Sequence, residues 1–360
     1  MAFLITVGVV LLTVAVLQHV NTNDFSLTPG QATRVAPLVK IDGLTTNPRA
    51  DTIMLADVYL SPLSAWQWLT AHLQSHVEFV NANELVEPGI PTDELNAQGY
   101  LEMSDSKQAA EVAALRALGW KLRGVPSGAV VTGVVASSPA RKAGLSVADE
   151  IVGVNGTTIR SACGLFAAIH SIAAGAVVRL NVAKAHIDAK GVITLRTPRV
   201  VALTMAAAPR GQGASGCAGV SGPNRSYLGI QPEDGFHFAL PGRISINTKF
   251  IGGPSAGLAM TLALINKLSA GTLTGHWVVA ATGTIDVNGN VGDVGGVAEK
   301  TIAVEHAGAQ IFFVPKAEVP VALAAASSGL RVIGVDTLSQ ALRALHALGG
   351  DTPVALTTPR

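Results

Sequence analysis

The sequence has 360 residues, of which 49% are hydrophobic and 14% are charged, and this balance excludes a chain that is disordered throughout. Its formal net charge of +1 gives no electrostatic attraction for nucleic acid, so no nucleic-acid partner is expected. The histidines form no H-E-x-x-H pattern and the two cysteines lack metal-ligand spacing, so no metal and no cofactor is predicted. Cys163 and Cys217 are expected to be free, buried thiols, with a single disulfide outside the cytoplasm as the alternative.

The first element is an apolar segment at the N-terminus. Residues 2–17 carry no charge, and with His19 and Val20 the stretch approaches the length of about 20 residues that spans a bilayer as a helix. The segment is either an anchor or a signal peptide. It lacks a basic n-region and a small-x-small cleavage site, which favours a retained transmembrane anchor over residues 1–22. A helix buried in the globular part is the alternative, and the sparse flanking Lys and Arg residues leave the orientation open.

The next segments predict two strands and a helix. Residues 35–41 and 52–60 are strand-like runs. A helix is predicted from about Met103 to Leu118, with Ser104 or Asp105 as its N-cap.

Residues 119–188 contain a strand at 128–135, the S-P-A-x-x-A-G-L segment at 138–145, the D-x-I-x-x-V-N-G segment at 149–156 and a helix at 163–173. Together these motifs resemble a PDZ domain of the kind that is attached to bacterial proteases. The resemblance implies that this module binds an extended peptide or a C-terminus as an added strand, with its carboxylate loop near Trp120 to Val125. That loop fits the family loosely, and Ala148 stands where a glycine is usual. A β-rich module used only for packing is the alternative.

A serine lies in the segment 252–257, among small, turn-forming residues and directly before the apolar run 258–268. Pro254 fixes its own backbone and Gly253 removes side-chain bulk, so a substrate carbonyl can approach the hydroxyl of Ser255 and nearby backbone N–H donors. This setting favours a nucleophilic serine. The alternative is that Ser255 merely caps the helix that follows.

A lysine downstream provides a candidate base. Lys300 lies among small and apolar residues at 295–304. Burial would lower its pKa from about 10.4, so that the neutral amine could accept the serine proton and Ser255 could form an acyl-enzyme that water resolves. A solvated surface lysine is the alternative.

Together, G-P-S-A-G at 253–257 and G-G-x-x-x-K at 295–300 resemble the proteolytic domain of the Lon family. Family-like segments also occur in the expected order at 274–275, 280–285, 289–292, 307–309 and 312–315. The resemblance implies a serine endopeptidase with a Ser255–Lys300 dyad, homo-oligomeric rings, and a supporting Thr282 whose hydroxyl orients the lysine. A local turn role for Thr282 is the alternative. Many Lon proteins carry an acidic residue just before the serine motif, where this chain has Phe250, Ile251 and Gly252.

The resemblance also implies the domain organisation. Residues 33–118 and 227–348 would form one α/β (α+β) proteolytic domain, with the PDZ domain inserted at 119–188 and a connecting segment at 189–226. Within that connection, residues 209–224 are rich in Gly, Ser and Pro and are expected to be mobile, and 349–360 are expected to form a loose tail. The chain looks like the membrane-anchored Lon-like proteases with PDZ domains of Gram-positive, especially actinobacterial, cells. That likeness implies a single-pass membrane protein whose catalytic region is extracytoplasmic.

These features predict proteolysis without ATP. The segment nearest to a phosphate-binding loop is 295–301, where Glu299 occupies the position that requires glycine. The expected activity is therefore cleavage of unfolded or exposed polypeptide segments, with the PDZ domain recruiting substrate or partner peptides. The alternative is a non-catalytic PDZ-type scaffold with an inactive Lon-like domain.

Overall fold

The computed structural model describes residues 2–49, 52–73, 78–81, 92–208, 217, 226–249 and 251–359. Its helices are α1 (Ala2–His19), α2 (Ala65–Ala71), α3 (Thr92–Ala117), α4 (Pro139–Lys142), α5 (Ala162–Ile169), α6 (Gly257–Leu268), α7 (Val297–His306), α8 (Val319–Ala325) and α9 (Leu338–Ala347). Its strands are β1 (Asn21–Arg34), β2 (Val39–Asp42), β3 (Ile53–Ser64), β4 (Glu78–Asn81), β5 (Gly124–Val134), β6 (Glu150–Val154), β7 (Thr157–Thr158), β8 (Val177–Ala183), β9 (Ala185–Ile187), β10 (Ile193–Leu195), β11 (Arg199–Thr204), β12 (Ala206–Ala207), β13 (Ser226–Tyr227), β14 (Ile230–Phe238), β15 (Arg243–Ile246), β16 (Ser269–Ala270), β17 (Val279–Ala281), β18 (Thr284–Ile285), β19 (Val291–Gly292), β20 (Ile311–Pro315), β21 (Arg331–Val335) and β22 (Val354–Ala355).

The first sheet is built from both ends of the sequence. Its strand order is β21-β20-β17-β3-β1-β4, with parallel pairing from β21 to β3 and antiparallel pairing of β1 with β3 and β4. Strand β3 precedes the PDZ-like module (residues 119–188) in the chain, and its neighbour β17 follows that module. Residues on the two sides of that module therefore share one sheet.

Helices cover both faces of this sheet. Successive side chains of a strand point to opposite faces, and the fully buried β20 shows this with Phe312 and Phe313. Phe313 packs in a core with residues of α3, α6 and α9, whereas Phe312 packs with residues of α7 and α8. The result is a three-layer α/β/α arrangement. Helix α6 follows the predicted nucleophile and α7 carries the predicted base, so the two residues approach the sheet from opposite faces.

The second sheet contains the motifs predicted for the PDZ-like module. Its strand order is β11-β8-β6-β5-β14, with β7 paired to β6, and its core includes Ile151, Leu165 and Leu180. The short helix α4 is capped by the side chain of Ser138, as a Ser-Pro start favours. Asn155 and Gly156 have φ values of 49° and 85° and make the tight turn between β6 and β7.

This sheet extends beyond residue 188, which was the predicted C-terminal boundary of the PDZ-like module. Strand β11 lies within the predicted connection, and β14 lies within the range that was assigned to the proteolytic domain. Both strands pair in the second sheet instead, because they complete its hydrogen bonding along β8 and β5. Of the predicted mobile segment 209–224, all but Cys217 lies outside the described residues.

The helix predicted from about Met103 begins earlier. Helix α3 starts at Thr92, because the residues between Glu94 and Met103 include Leu, Ala and Gln, which favour helix as well as those that follow. Ser104 and Asp105 therefore lie in the middle of the helix, and neither is an N-cap.

Three further predictions have an outcome. Cys163 and Cys217 form a disulfide with a Cα–Cα distance of 5.4 Å, so the prediction of free thiols is wrong.

The residues predicted as a loose tail include β22, which pairs with β16. The apolar N-terminal segment forms α1, but in the part of the chain that the structure describes no helix has the length and hydropathy required to cross a membrane, which leaves the predicted anchor without support.

Candidate active site

The predicted nucleophile lies in the loop that precedes α6. The helix begins at Gly257 with Ala256 as its N-cap residue, and no side chain caps it, so Ser255 does not serve as a helix cap. A Cβ on Gly257 would lie 2.9 Å from the backbone nitrogen of Ile285, so only glycine fits the first helical position. Gly253 has a φ of 81°, which glycine adopts without strain. Gly253 is thus favoured by the turn, and Gly257 is required by the contact with β18.

Helix α3 holds the first half of this nucleophile loop (residues 251–256). The backbone N–H of Gly253 donates to the carbonyl oxygen of Gly99 at 2.9 Å. The hydroxyl of Ser106 donates to the carbonyl oxygen of Pro254 at 3.0 Å. The loop conformation therefore depends on two hydrogen bonds to one helix.

The segment after β17 holds the second half of the loop. The Gly283 N–H donates to the Ser255 carbonyl oxygen at 2.9 Å, and the hydroxyl of Thr282 donates to the same oxygen at 3.2 Å. In the structure this hydroxyl fixes the backbone of Ser255. The predicted role of Thr282 in orienting the lysine stays a prediction.

Lys300 lies in the first turns of α7 and is buried, with 2% of its surface exposed. Its Nζ donates to the carbonyl oxygen of Gly295 at 2.8 Å. Burial lowers the pKa of Lys300 to about 8, although the carboxylates of Glu318, Asp57 and Glu299 act in the opposite direction. The alternative of a solvated surface lysine is therefore excluded.

Ser255 and Lys300 line the same cavity. Its volume is about 360 Å³. Its walls come from β1, the turn before β2, β3, the segment 247–249 after β15, the nucleophile loop and α7: Gln31, Thr33, Leu38, Asp57, Val58, Tyr59, Asn247, Thr248, Lys249, Ile251, Gly252, Ser255 and Lys300. A hydroxyl and an amine with a lowered pKa in one cavity are the components of a nucleophile and its base.

Two charged residues of this cavity, Asp57 and Lys249, were not predicted from the sequence. Asp57 interrupts the otherwise mostly apolar start of β3, and its Oδ1 accepts a hydrogen bond from the Gln31 N–H at 2.6 Å. An acidic residue in such a strand was the available signal. Lys249, at the entrance to the nucleophile loop, has a φ of 53°, a strained value for a residue with a side chain. That signal is in the backbone and not in the sequence.

The second module offers a sheet edge. Among the described residues, β14 pairs with β5 alone. It is preceded by Gly229, whose φ is 81°, and it is tied to the start of α5 by a 2.7 Å hydrogen bond from the Ala162 N–H to Asp234. An edge strand beside a helix is the geometry that accepts an added peptide strand.

The predicted carboxylate loop near Trp120 to Val125 does not lie at that edge. Trp120 is buried in the core of the first sheet. Gly124 and Val125 belong to β5 and pair with Phe238 and His237. The loop that opens onto the free edge of β14 is 227–229 instead.

Comparison with known protein families agrees with this arrangement. Residues 248–346 match the Lon protease (S16) C-terminal proteolytic domain, and residues 116–191 match the PDZ domain. The chain thus combines a domain similar to that of Lon proteases with one similar to PDZ domains. The first range contains Ser255, Thr282 and Lys300, and the similarity supports a serine peptidase.

Individual relatives match over part of the chain. Lon protease 1 of Herpetosiphon aurantiacus is 32% identical over 132 residues, which is 36% of this chain and 16% of that protein. Lon protease 2 of Bacillus subtilis is 33% identical over 116 residues, covering 32% of this chain and 20% of the relative. Among solved structures, the PDZ domain of an SdrC-like protein from Listeria monocytogenes covers 29% of this chain and 87% of its own, at 21% identity and a TM-score of 0.22.

Proposed function

We propose that this protein is a serine endopeptidase in which Ser255 is the nucleophile and Lys300 is its general base. The observation that carries the proposal is that both residues line one cavity and that Lys300 is buried there with a pKa lowered to about 8. An amine with such a pKa is partly neutral near neutral pH and can accept a proton.

The first half-reaction follows from this geometry. Lys300 Nζ accepts the proton of the Ser255 hydroxyl while Oγ bonds to the carbonyl carbon of the substrate. The resulting ammonium returns the proton to the departing amine as the peptide C–N bond breaks, and an ester on Ser255 remains. Gly295 keeps the lysine in place during this exchange, because its carbonyl accepts an N–H from the neutral as well as from the charged amine.

The tetrahedral intermediate needs backbone donors. The N–H groups of Gly253 and Gly257 already donate to Gly99 and Pro254. We therefore assign the oxyanion to the N–H groups that lie between them in the chain, those of Ser255 and Ala256. Water then attacks the ester, with Lys300 accepting its proton.

The proposed substrates are unfolded or exposed polypeptide segments, and the proposed cleavage does not need ATP. The sequence has glutamate at 299 where a phosphate-binding loop requires glycine. The open edge of β14 is the proposed recruitment site for a substrate or partner peptide, bound as an added strand. The Cys163–Cys217 disulfide supports a location outside the cytoplasm, because such bonds persist in oxidising compartments. Membrane attachment and assembly into homo-oligomers stay predictions.

The test is hydrolysis of casein without ATP. Casein cleavage is expected from the unmodified protein and not from Ser255→Ala or Lys300→Met. Two matched controls, Ser245→Ala and Lys316→Met, change a serine and a lysine that are exposed and outside the cavity, and they should keep full activity. Stimulation by ATP would contradict the proposed ATP-independence.

The second candidate is a non-catalytic binding protein, and the open edge of β14 favours it. It predicts that folded, unmodified protein binds peptides through the second module and cleaves none. Cleavage that is lost in both active-site variants excludes it.

A further inference from the structure

Helix α3 contacts the PDZ-like module near its N-terminal end. Glu94 is 6% exposed, and its Oε1 accepts a hydrogen bond from the Val134 N–H at 3.1 Å. Its other oxygen pairs with Arg141, which also donates to the Val134 carbonyl at 2.9 Å. Both backbone polar groups of Val134, the last residue of β5, are thus held by one ion pair between the buried Glu94 and the half-buried Arg141.

A second contact follows one helical turn later. The side-chain amide of Gln98 donates to the Thr132 carbonyl at 3.1 Å. Glu94 and Gln98 lie on one side of the helix because they are four residues apart. Helix α3 therefore binds β5 at two alternate residues, Thr132 and Val134.

The same helix continues directly to the nucleophile loop. Gly99 is the residue after Gln98, and its carbonyl accepts the N–H of Gly253, while Ser106 holds Pro254 two turns further on. A Cβ on Gly252 would lie 3.3 Å from the carbonyl carbon of Gly99, so the loop and helix backbones are in close contact. From Glu94 to Gly99 the helix rises only about 7.5 Å, so the contact with the module and the contact with the nucleophile loop lie within two turns of one helix.

The proposed peptide site is tied to the other partner of the ion pair. The loop before β14 accepts hydrogen bonds through Leu228 and Gly229, from the N–H groups of Ala140 and Val135, each at 2.9 Å. Ala140 is the neighbour of Arg141 in α4. A Cβ on Gly229 would lie 2.2 Å from that of Ser138, so the loop also packs tightly on the start of α4. A peptide that displaces this loop must move α4.

We propose that Glu94 and Arg141 are positioning residues that hold α3 against the PDZ-like module, and that through α3 they couple peptide binding at β14 to the placement of Ser255. The inference rests on the proposed function. It assigns the module a role beyond recruitment: occupancy of the peptide edge changes the turnover of substrate at a site that the peptide does not touch.

Glu94→Gln is the central variant, because the amide oxygen still accepts from Val134 while the ion pair is lost. Misplacing a reacting group by about 1 Å can cost as much as 100-fold in rate, so kcat for a short fluorogenic peptide is expected to fall at least fivefold with KM unchanged. Arg141→Lys keeps the charge and should retain most of the rate. Asp42→Asn removes an exposed acid far from this contact and should be neutral.

Hydrogen exchange tests the coupling without relying on activity. The expected result is faster exchange in the segment 251–258 of Glu94→Gln than in the unmodified protein, while the reference helix α9 is unchanged. Gln98→Ala removes one hydrogen bond of the same contact and should also speed exchange in 251–258. This variant provides the test if Glu94→Gln fails to fold. Unchanged exchange in 251–258 with unchanged kcat overturns the inference.

The two failures are distinguishable. If the unmodified protein cleaves nothing, the proposed function fails and hydrogen exchange still tests the link. If the unmodified protein cleaves and the Glu94 and Gln98 variants match it in kcat and in exchange, the proposed function stands and the coupling is wrong.

Discussion

The pH dependence of cleavage follows from the burial of Lys300. With a pKa of about 8, the neutral fraction of the amine is about 9% at pH 7, about 50% at pH 8 and about 90% at pH 9. A rate that is proportional to this fraction should rise about tenfold from pH 7 to pH 9 and then level off. A solvated lysine with the ordinary value of 10.5 would be neutral in only about 0.03% of molecules at pH 7 and would show no plateau below pH 10.

The assay is kcat/KM of a fluorogenic peptide between pH 6 and pH 10, with circular dichroism at each pH to show that the protein is folded. The expected profile is a single ascending titration with its midpoint near 8. Asp57→Asn should move the midpoint to lower pH, because the charge of Asp57 stabilises protonated Lys300. Asp42→Asn, an exposed acid outside the cavity, is the control and should leave the midpoint unchanged.

Two results would show that buried Lys300 is not the base, or that Asp57 does not act on it. A rate that continues to rise tenfold per pH unit above about pH 9.5 would mean that the base is a solvated lysine or hydroxide. A midpoint that moves to higher pH in Asp57→Asn would mean that Asp57 does not act on Lys300 as a charge.

Other predictions concern stability. Because the pKa of Lys300 is about 8 in the folded protein and 10.5 in the unfolded chain, the unfolded chain binds more protons between about pH 8 and 10.5. Burying Lys300 therefore lowers the free energy of unfolding by on the order of 3 kcal/mol below pH 8, and this loss fades as the pH rises to 10.5. Lys300→Met should therefore unfold at higher urea than the unmodified protein at pH 7, with a smaller difference at pH 10; a less stable variant at pH 7 contradicts this. Leu258 in α6 is 0% exposed, and Leu258→Ala should lower the free energy of unfolding, measured by urea denaturation, by about 2 to 5 kcal/mol. A loss below about 1 kcal/mol would argue against the packing described. The Cys163–Cys217 disulfide joins residues 54 apart, so Cys163→Ser should lose about 4 kcal/mol by chain entropy, and a variant as stable as the oxidised protein would show that the bond does not form.

The local motifs were predictable from sequence. Ser255 and Lys300 each lie in a segment whose small and apolar residues determine its own conformation, as the close fit of Gly257 against Ile285 shows. The turn at Asn155 and Gly156 was predictable for the same reason. In each case the residues that fix the backbone are neighbours in the chain.

Features that depend on distant partners were not predictable. The role of Asp57 depends on Lys300, which is far away in the sequence and close in the cavity. The carboxylate loop was predicted near Trp120 to Val125 and not at 227–229, because which strand lies at an edge is decided by pairing between distant segments. The hydroxyl of Thr282 donates to the Ser255 backbone, although the motif alone is equally compatible with a bond to the lysine.

The proposed mechanism requires a covalent bond between Ser255 and the substrate, and that intermediate can be trapped. A peptide ester would be mixed with the protein, quenched in acid within the first turnover, and the protein digested with trypsin for mass spectrometry. We expect an acyl group on the peptide 250–267, located at Ser255, in the unmodified protein and none in Ser255→Ala or Lys300→Met. Cleavage of the ester at full rate by Ser255→Ala, or an acyl group on a different residue, would contradict it.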